Sequence, residues 1–479
     1  MRRAIAALAA GFLMLATLST LPAQSVAVFS SPNMTYVAGF KWRSEGEQRG
    51  TDLEFATIRG RDYAFAGTYV HGMQVIDITD PRHPEGVGEF ECGLAQGDVQ
   101  VFRQGSRWLA TYTADNGYGG AGGDCYKKLG VARGTTGTFI ADVTDPTKPR
   151  AVGFLPIILG SHNMTVHPGG RFLYNSDSEF PGRGQVEIWD IADPSKPKRR
   201  SVFDLLPVPG AVNDAPSSSH DITFNVDGTR AYVAALHYTV ILDTTTPAAP
   251  VALSWIPDPA ITLHHQSDPV TFQTAAGPIT YLVITDELGG GQQNTCPGGG
   301  LHVYNITGPL ELAPVKVGAF FAPFVGESPA RACTSHVLRM HPEEAIMTIG
   351  WYGLGSRVID ISGLIGLSAG PDETTGTVGP AMREVGYLRF ANSDTWTAKT
   401  NRIAPDGSFY LYANDHERGF EVLRYTPPPA GLLDAGPGGM DPGRWLSPAE
   451  VLEETLARRA AQGDDAPNAP YCVLPFLAA

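Results

Sequence analysis

The sequence predicts an all-β protein: a seven-bladed β-propeller whose blades are four-stranded antiparallel sheets, with a short C-terminal helix. Two observations predict this fold. The chain of 479 residues contains 55 Gly and 38 Pro, and only 18% of its residues are charged, which is typical of a core made of short strands and many turns. In addition, one short segment recurs seven times, at intervals of about 50 to 65 residues, as in repeat architectures.

The recurring segment is a Val-Ile-Asp strand that ends in an Asp-Pro turn. Proline ends the strand because it has no N–H to donate to a neighbouring strand. The clearest copies lie at residues 72–81, 137–146 and 185–194, and looser copies lie at 238–247, 301–309, 356–362 and 419–425. Three further strand-like segments accompany each copy, so seven four-stranded sheets are expected over residues 34–425.

The seventh repeat lacks a fourth strand of its own, because Tyr425 is followed by Thr-Pro-Pro-Pro429. Residues 34–42 match the pattern of a fourth strand and stand before the first complete blade. We expect this segment to complete blade seven and close the ring, since the blade would otherwise keep an unpaired edge. The alternative is a detached N-terminal arm.

The two ends of the chain do not follow the repeat pattern. Arg2 and Arg3 precede an apolar run and small residues, which predicts a signal peptide over residues 1–23 and a secreted or periplasmic protein. The alternative, a membrane anchor, is disfavoured because the run is shorter than the roughly 20 residues that span a bilayer. Residues 426–446 are expected to be a Pro- and Gly-rich linker, and residues 447–479 a short helix and tail, with a capping box at Ser447 and Glu450.

The Val-Ile-Asp strand followed by Asp-Pro resembles the repeat of the LVIVD-repeat β-propeller family, over roughly residues 34–425. Asn305 and Arg424 replace the Asp in two of the looser copies. The resemblance implies an extracytoplasmic seven-bladed scaffold. It does not by itself assign a function, because propellers host both binding and catalysis.

Aligning the blades places one polar residue at the start of every first strand, where that strand meets the central channel. These residues are Glu54, Asp98, His162, His220, Asp268, His336 and Lys399, with His265 just ahead of Asp268. Imidazole suits Cu, Zn, Fe and Ni. We therefore expect His162, His220, His265 and His336 to form a transition-metal site for Cu, Zn or Fe.

The remaining channel residues are expected to bind a ligand. Asp177 lies opposite His162 on the next strand and is expected to hold the second nitrogen of its ring, as carboxylates do beside metal-bound histidines. The expected ligand-binding residues are Glu54, Asp98, Asp268 and Lys399, with His71, His237 and His416 on loops at the same face. The alternative is that the Ser-His pairs are repeat consensus, with imidazoles that bond only to neighbouring blades and channel water.

The five cysteines are read as those of an exported protein. Cys92 and Cys125 fall in blade two, and Cys296 and Cys333 fall in adjacent blades five and six, which predicts two disulfides that leave Cys472 over. The alternative makes Cys333 and His336 a pair of metal ligands.

Two functions remain open at this stage. The first is a binding scaffold whose His-rich face recognises a metal, a small ligand or an extracytoplasmic protein. The second is a metal-dependent enzyme, a copper-type oxidase or a metal-assisted hydrolase, at the same face. Propellers of the selenium-binding protein type are distantly similar in their channel-facing histidines, and that resemblance implies copper-dependent methanethiol oxidation by analogy. A net charge of −14 disfavours nucleic-acid binding.

Overall fold

The computed structural model describes residues 26–462 except for a set of short internal segments. These segments are residue 45, residues 93–95, 116–121, 178–183, 212–216 and 288–295, residue 297, and residues 327–330, 368–380, 430–431 and 433–439. The expected signal peptide, Cys472 and the tail expected after residue 463 lie outside the described residues. The described chain forms seven separate antiparallel sheets.

The first two strands, β1 (Val28–Ser30) and β2 (Met34–Phe40), precede six complete sets of four strands. In each set the strands pair in chain order. Blade 1 contains β3 (Gly50–Ile58), β4 (Arg61–Thr68), β5 (Met73–Asp77) and β6 (Glu85–Phe90); blade 2 contains β7 (Val99–Gln104), β8 (Arg107–Ala114), β9 (Gly137–Asp142) and β10 (Arg150–Pro156); blade 3 contains β11 (Asn163–Val166), β12 (Phe172–Ser176), β13 (Gln185–Asp190) and β14 (Lys198–Asp204).

The second half of the ring repeats this arrangement with longer inner hairpins in blade 5. Blade 4 contains β15 (Asp221–Phe224), β16 (Arg230–Ala234), β17 (Thr239–Asp243) and β18 (Val251–Ile256); blade 5 contains β19 (His264–Thr274), β20 (Gly277–Asp286), β21 (Leu301–Asn305) and β22 (Val315–Phe321); blade 6 contains β23 (Leu338–His341), β24 (Ile346–Gly350), β25 (Ser356–Asp360) and β26 (Arg383–Phe390); blade 7 contains β27 (Thr395–Lys399), β28 (Phe409–Asp415) and β29 (Gly419–Tyr425).

Blade 7 is completed by the N-terminal strand, as expected. Strand β2 pairs antiparallel with β29, with Met34 opposite Tyr425 and Phe40 opposite Phe420. The predicted closure and the seven-bladed fold are therefore confirmed. The strand ends at Phe40, two residues earlier than expected.

Two strands lie outside the four-stranded pattern that the repeat predicts. Strand β1 pairs with β26 and adds a fifth strand to blade 6. Strand β30 (Arg444–Leu446) pairs with β22 and adds a fifth strand to blade 5, within the stretch expected to be linker. Both cover an outer edge that would otherwise expose unpaired backbone groups.

The helices are few and short. Helix α1 (Cys125–Leu129) lies in blade 2, and two 3₁₀ turns lie at Gly308–Leu312 and Ser362–Gly366. Helix α2 (Pro448–Gln462) follows β30. It starts at the predicted capping box, where the Ser447 hydroxyl and backbone N–H both donate to the Glu450 carboxylate. No helix among the described residues is both long and apolar enough to cross a bilayer.

The repeated Asp stabilises the turn that follows the third strand. Where the Asp is present at the end of a third strand, its carboxylate accepts the backbone N–H two residues on, as Asp77 does from Thr79 at 2.9 Å. Asn305 makes the same contact with Thr307 through its amide oxygen, which explains how Asn can replace Asp there. Equivalent contacts form at Asp142, Asp190, Asp243 and Asp360. This side-chain hydrogen bond fixes the direction in which the chain leaves the strand.

The two predicted disulfides are present. Cys92 is bonded to Cys125, with Cα atoms 5.5 Å apart, and Cys296 is bonded to Cys333, with Cα atoms 5.2 Å apart. The first joins the start of blade 2 to helix α1, and the second joins blade 5 to blade 6. Because Cys333 is in a disulfide, the alternative that pairs it with His336 as a metal ligand is wrong.

The closing strand can be tested through Met34, which is 1% exposed and packs in a core cluster with Val385, Leu388 and Leu423. We expect Met34→Ala to lower the free energy of unfolding by about 2 to 5 kcal/mol, because it removes buried side-chain volume between blades 6 and 7. Thr35→Ala, at an exposed position of the same strand, is the control and should change it by no more than about 0.5 kcal/mol. Urea unfolding measures both, and equal effects would contradict the role of β2.

Candidate functional site

The first strands of all seven blades line one central cavity of about 270 Å³. Its wall contains His265 and His336 at one end and Val166, Pro168 and Phe224 toward the hairpins between first and second strands. The predicted channel residues Glu54, Asp98, Asp268 and Lys399 all line it. The alignment of blades therefore brings these residues to one cavity.

The four histidines predicted as metal ligands form a continuous row across blades 3 to 6. Ring centroids are 4.4 Å apart for His162 and His220, 4.2 Å for His220 and His265, and 4.1 Å for His265 and His336. Each side chain is at most 1% exposed. The row arises because each imidazole stands at the head of an inner strand, and adjacent inner strands converge on the axis.

Burial keeps these imidazoles neutral. Desolvation holds the pKa of His220, His265 and His336 well below the ordinary value, and neighbouring imidazoles add to the effect. Desolvation lowers the pKa of His162 to about 3. A neutral imidazole carries one nitrogen lone pair, which is the form that binds a metal.

Backbone carbonyls fix which nitrogen carries that lone pair. The Nδ1–H of His220 donates to the carbonyl of His265 at 3.1 Å, and the Nδ1–H of His336 donates to the carbonyl of Trp396 at 2.7 Å. A carbonyl can only accept, so Nδ1 holds the proton and Nε2 holds the lone pair in both rings. The Nε2 atom of His336 has no hydrogen-bond partner although it is buried.

A carboxylate completes the group of donors. One ligand atom each from His220, His265 and Glu287 lies within 4.8 Å of the other two. The Nε2 atom of His336 lies 3.7 Å from Oε1 of Glu287, and the Tyr352 hydroxyl donates to the same oxygen at 2.9 Å. These three residues and His336, which lies beside Glu287, form a fully buried group. We call it the His/Glu cluster: His220, His265, His336 and Glu287.

His162 belongs to the row but its ring nitrogens already have partners. Its Nδ1 lies 2.9 Å from Oδ2 of Asp115, and its Nε2 lies 3.0 Å from the Gln96 amide nitrogen. Asp177 stands at the cross-strand position predicted for it, but it accepts from the Ser218 hydroxyl and the Gln185 backbone. Asp115, from the neighbouring blade, therefore takes the place expected for Asp177, because its carboxylate reaches across the inter-blade gap.

Aromatic side chains continue the row into blades 7 and 1. Trp396 packs on His336 at 4.4 Å and on His416 at 5.0 Å, and His416 packs on Tyr69 at 5.1 Å. Tyr69, Tyr352 and Trp396 belong to a buried apolar cluster to which five blades contribute, with Leu236, Leu263, Ala332 and Val337. Such a shell excludes water from one side of the His/Glu cluster.

The loop histidines are placed less centrally. The Arg43 guanidinium donates to Nδ1 of His71 at 3.1 Å near the surface of blade 1. His237 is buried in blade 4, and His416 lies behind Trp396. Among the described residues, the side chains lining the cavity do not include any of these three.

One wall of the cavity is an ion-paired cluster from blades 6, 7 and 1. Lys399 lies 2.7 Å from Asp52 and 2.9 Å from Glu54, and Arg339 donates to both oxygens of Glu54 at 2.6 Å. Burial alone would raise the pKa of Glu54, but Arg339 and Lys399 outweigh it and lower that pKa to about 2. The two basic side chains of the cavity therefore both form ion pairs with carboxylates of blade 1.

The opposite wall carries three carboxyl groups that are held by neutral donors. Asp98 accepts the Met164 backbone N–H at 2.9 Å, Asp268 accepts from Thr223 and Gln266, and Asp221 accepts the N–H of Ile222. Burial raises the pKa of Asp98 and Asp268, and raises that of Asp221 to about 8. Nearby carboxylates add to the rise for Asp98 and Asp221.

The sequence analysis did not identify several residues of the site. Glu287 follows the apolar strand β20 and is adjacent to Asp286, so two acids at the end of a buried strand were the available signal. Asp52, Asp221 and Arg339 flank predicted channel residues by one to three positions. Bulges in β3, β19 and β27 shift the pairing in blades 1, 5 and 7, and such one-residue insertions are not visible in a sequence alignment of blades.

Comparisons with known proteins identify no family for the chain. No family profile matches the chain and no curated protein matches it, so the LVIVD-repeat resemblance stays a prediction. A periplasmic gluconolactonase from Pseudomonas aeruginosa is 14% identical, with a TM-score of 0.49, over 80% of this chain and 98% of that one. A functionally unknown protein from Desulfotomaculum acetoxidans is 14% identical, with a TM-score of 0.44, over 67% and 84%.

A third similar structure, the β-propeller domain of Cps50 from Myceliophteria thermophila, is 11% identical, with a TM-score of 0.44, over 79% of this chain and 97% of that one. What the chain does must be argued from its own residues.

The ion-paired wall can be tested with Lys399→Met. We expect the free energy of unfolding at pH 7 to fall by about 3 to 5 kcal/mol, because Asp52 loses its cation while buried. Burial already holds the pKa of Asp52 above its ordinary range. A carboxyl group with a raised folded pKa destabilises the folded state at neutral pH and is relieved by protonation, so the deficit should shrink from pH 7 to pH 5.

Urea unfolding of the wild type and the variant at both pH values measures this. Lys198→Met, at an exposed position on β14, is the control and should have little effect at either pH. A deficit in Lys399→Met that stays constant or grows on acidification would contradict the assignment.

Proposed function

We propose that this protein is an exported β-propeller scaffold that binds a transition-metal ion through His220, His265, His336 and Glu287. The observation that carries the proposal is the buried, unpartnered Nε2 of His336 beside three other donors that converge within ligand-sharing range. An unpaired buried polar atom costs free energy, and a bound ion is one way to recover it.

The donor chemistry favours Cu, Zn or Fe over Ca²⁺ or Mg²⁺. The cluster offers three neutral imidazoles and one carboxylate, whereas the latter ions prefer sets of oxygen ligands. The proton on Nδ1 of His220 and His336 is held by a backbone carbonyl, which is the arrangement seen behind metal-bound histidines. His162 is placed outside the ligand set because the Gln96 amide occupies its Nε2.

A second candidate function is metal-dependent catalysis at the same cluster. The observation that favours it is the cavity, because His265 and His336 form part of its wall and a small molecule held there would lie next to the metal. A bound ion of this class can polarise a ligand oxygen or activate water, and a redox-active ion can also exchange electrons. Oxidase and hydrolase chemistry both stay open, and the scaffold function requires neither.

Export is proposed on one ground besides the N-terminal sequence, the disulfides. Disulfides persist in oxidising compartments, and the chain has two of them between different structural elements. The partners we propose are a small ligand in the cavity or a protein outside the cytoplasm.

Metal loading of the mature protein tests the proposal. The protein is stripped with chelator, incubated with Co²⁺, Zn²⁺ or Cu²⁺, desalted and measured by elemental analysis. We expect about one ion per chain and a raised melting temperature, since a ligand that binds only the folded state stabilises it. For Co²⁺, visible absorption bands report the coordination directly.

Matched variants within the row sharpen the test. His265→Gln should abolish stoichiometric retention, whereas His162→Gln, which removes an equally buried imidazole with occupied nitrogens, should retain the ion. The exposed His83→Ala controls for adventitious surface binding. Equal retention in His265→Gln and wild type, or no retention by the wild type, would refute the His/Glu cluster as a metal site.

A further inference from the structure

The outer strand of blade 4, β18, has an open edge. Among the described residues, its backbone pairs with β17 on the inner side and with no strand on the outer side. The outer strands of the next two blades are covered instead, β22 by β30 and β26 by β1. The fold therefore already adds segments from outside the repeats to the outer edges of two blades.

The sequence of β18 does not protect this edge. Val251–Ile256 contains no charged residue, no glycine and no proline, although charged side chains and proline are usual means of blocking an open edge. The open outer strands of blades 1, 2 and 3 all carry charged residues. Strand β2 of blade 7 is uncharged like β18, but Lys41 follows it directly. Strand β18 is thus suited to pairing with a further strand.

Large apolar side chains are exposed along the same edge. Val251 is 63% exposed and Trp255 is 44% exposed. Leu206, in the segment after β14, is 67% exposed, and the Tyr238 hydroxyl donates to its carbonyl, which places this residue beside blade 4. Apolar surface gains free energy when it leaves water, so this edge has the composition of a surface that another segment covers.

Helix α2 brings the end of the chain close to β18. Near the last turn of the helix, the Arg459 guanidinium donates to the carbonyl of Pro259 at 2.9 Å. Pro259 follows the end of β18 at Ile256 by three positions. Helix α2 ends at Gln462, the last described residue, so residues 463–479 begin near the C-terminal end of β18.

The sequence after α2 contains a segment that fits the edge. Tyr471-Cys-Val-Leu474 is uncharged and contains residues that favour strands, and Pro475-Phe-Leu477 continues its apolar character. Residues 463–470 connect it to α2 and can span up to about 28 Å when extended. A segment that enters at the C-terminal end of β18 runs antiparallel to it, which requires no crossover connection.

From these observations we infer that residues 471–474 add to β18 as an antiparallel fifth strand of blade 4 and cover Trp255. The pairing gives blade 4 the five-stranded form of blades 5 and 6. Because α2 tethers the segment beside β18, its effective concentration at the edge is high. A second copy of the chain is a poorer occupant, since copies with a net charge of −14 repel one another. The inference goes beyond the proposed function and does not depend on the metal site.

Hydrogen exchange of the full mature protein tests the inference. Neighbouring residues of a strand direct their N–H groups to opposite sides, so Cys472→Pro/Val473→Pro removes a donor toward β18 in either register. We expect amides within residues 251–256 to exchange about 10-fold faster or more in this variant than in the wild type, because unpaired edge amides open to solvent. Asp464→Pro/Asp465→Pro introduces the same prolines ahead of the segment and should exchange as the wild type does.

A disulfide trap identifies the occupant. Cys472 is the cysteine that the two disulfides leave over, so one added thiol on β18 is enough. Trp255→Cys and Ser254→Cys lie on opposite faces of the sheet, and mild oxidation should link one of them to Cys472 within a single chain. Val202→Cys, at an exposed position on the outer strand of blade 3, is the matched control and should stay unlinked.

Mass spectrometry of unreduced peptides detects the link, and thermal unfolding confirms that each variant is folded. Faster exchange confined to the variant with prolines at 472 and 473, together with a link inside one chain, supports the inference. Unchanged exchange at residues 251–256, no link from either β18 position, a link between two molecules, or equal linkage in Val202→Cys overturns it.

Discussion

The pairing of β2 with β29 is the contact on which the rest of the structure depends. It joins segments almost 400 positions apart in the sequence and closes seven blades into one ring. Closure fixes the inner strands around a common axis, and only then do the residues at the heads of those strands meet. The imidazole row, the ion-paired wall and the opposite wall with Asp98, Asp221 and Asp268 are all consequences of that convergence.

Burial gives the His/Glu cluster its chemical character. An imidazole on a surface loop would be partly protonated near its ordinary pKa and hydrogen-bonded to water. Here desolvation keeps the rings neutral, and carbonyls from His265 and Trp396 hold the Nδ1 protons of two of them. The backbone of one blade thus sets the tautomer of a side chain from the blade before it, which couples the donor geometry to the packing of adjacent sheets.

Charge is distributed unevenly around the cavity for a related reason. Arg339 and Lys399 extend from blades 6 and 7 and meet Glu54 of blade 1, so this side of the ring is internally neutralised. The acids of blades 2, 4 and 5 have no such partner in the described chain. A ligand that enters the cavity meets neutral imidazoles at one end and an ion-paired wall on one side. On the other side it meets carboxyl groups whose pKa is raised by burial.

The sequence alone determined the repeat, the number of blades, the closing strand, the capped C-terminal helix and both disulfides, because these depend on local patterns and on spacing that recurs. It also found most of the polar residues of the cavity, since each occupies the same position in its repeat. Only the tertiary structure decided their partners. Glu287 joins the cluster from the end of a second strand, Asp115 replaces Asp177 beside His162, and Gln96 occupies the Nε2 of that ring. Those contacts form between blades and depend on β-bulges and on the length of the side chains. The sequence repeat gives only the position of a residue within its own blade.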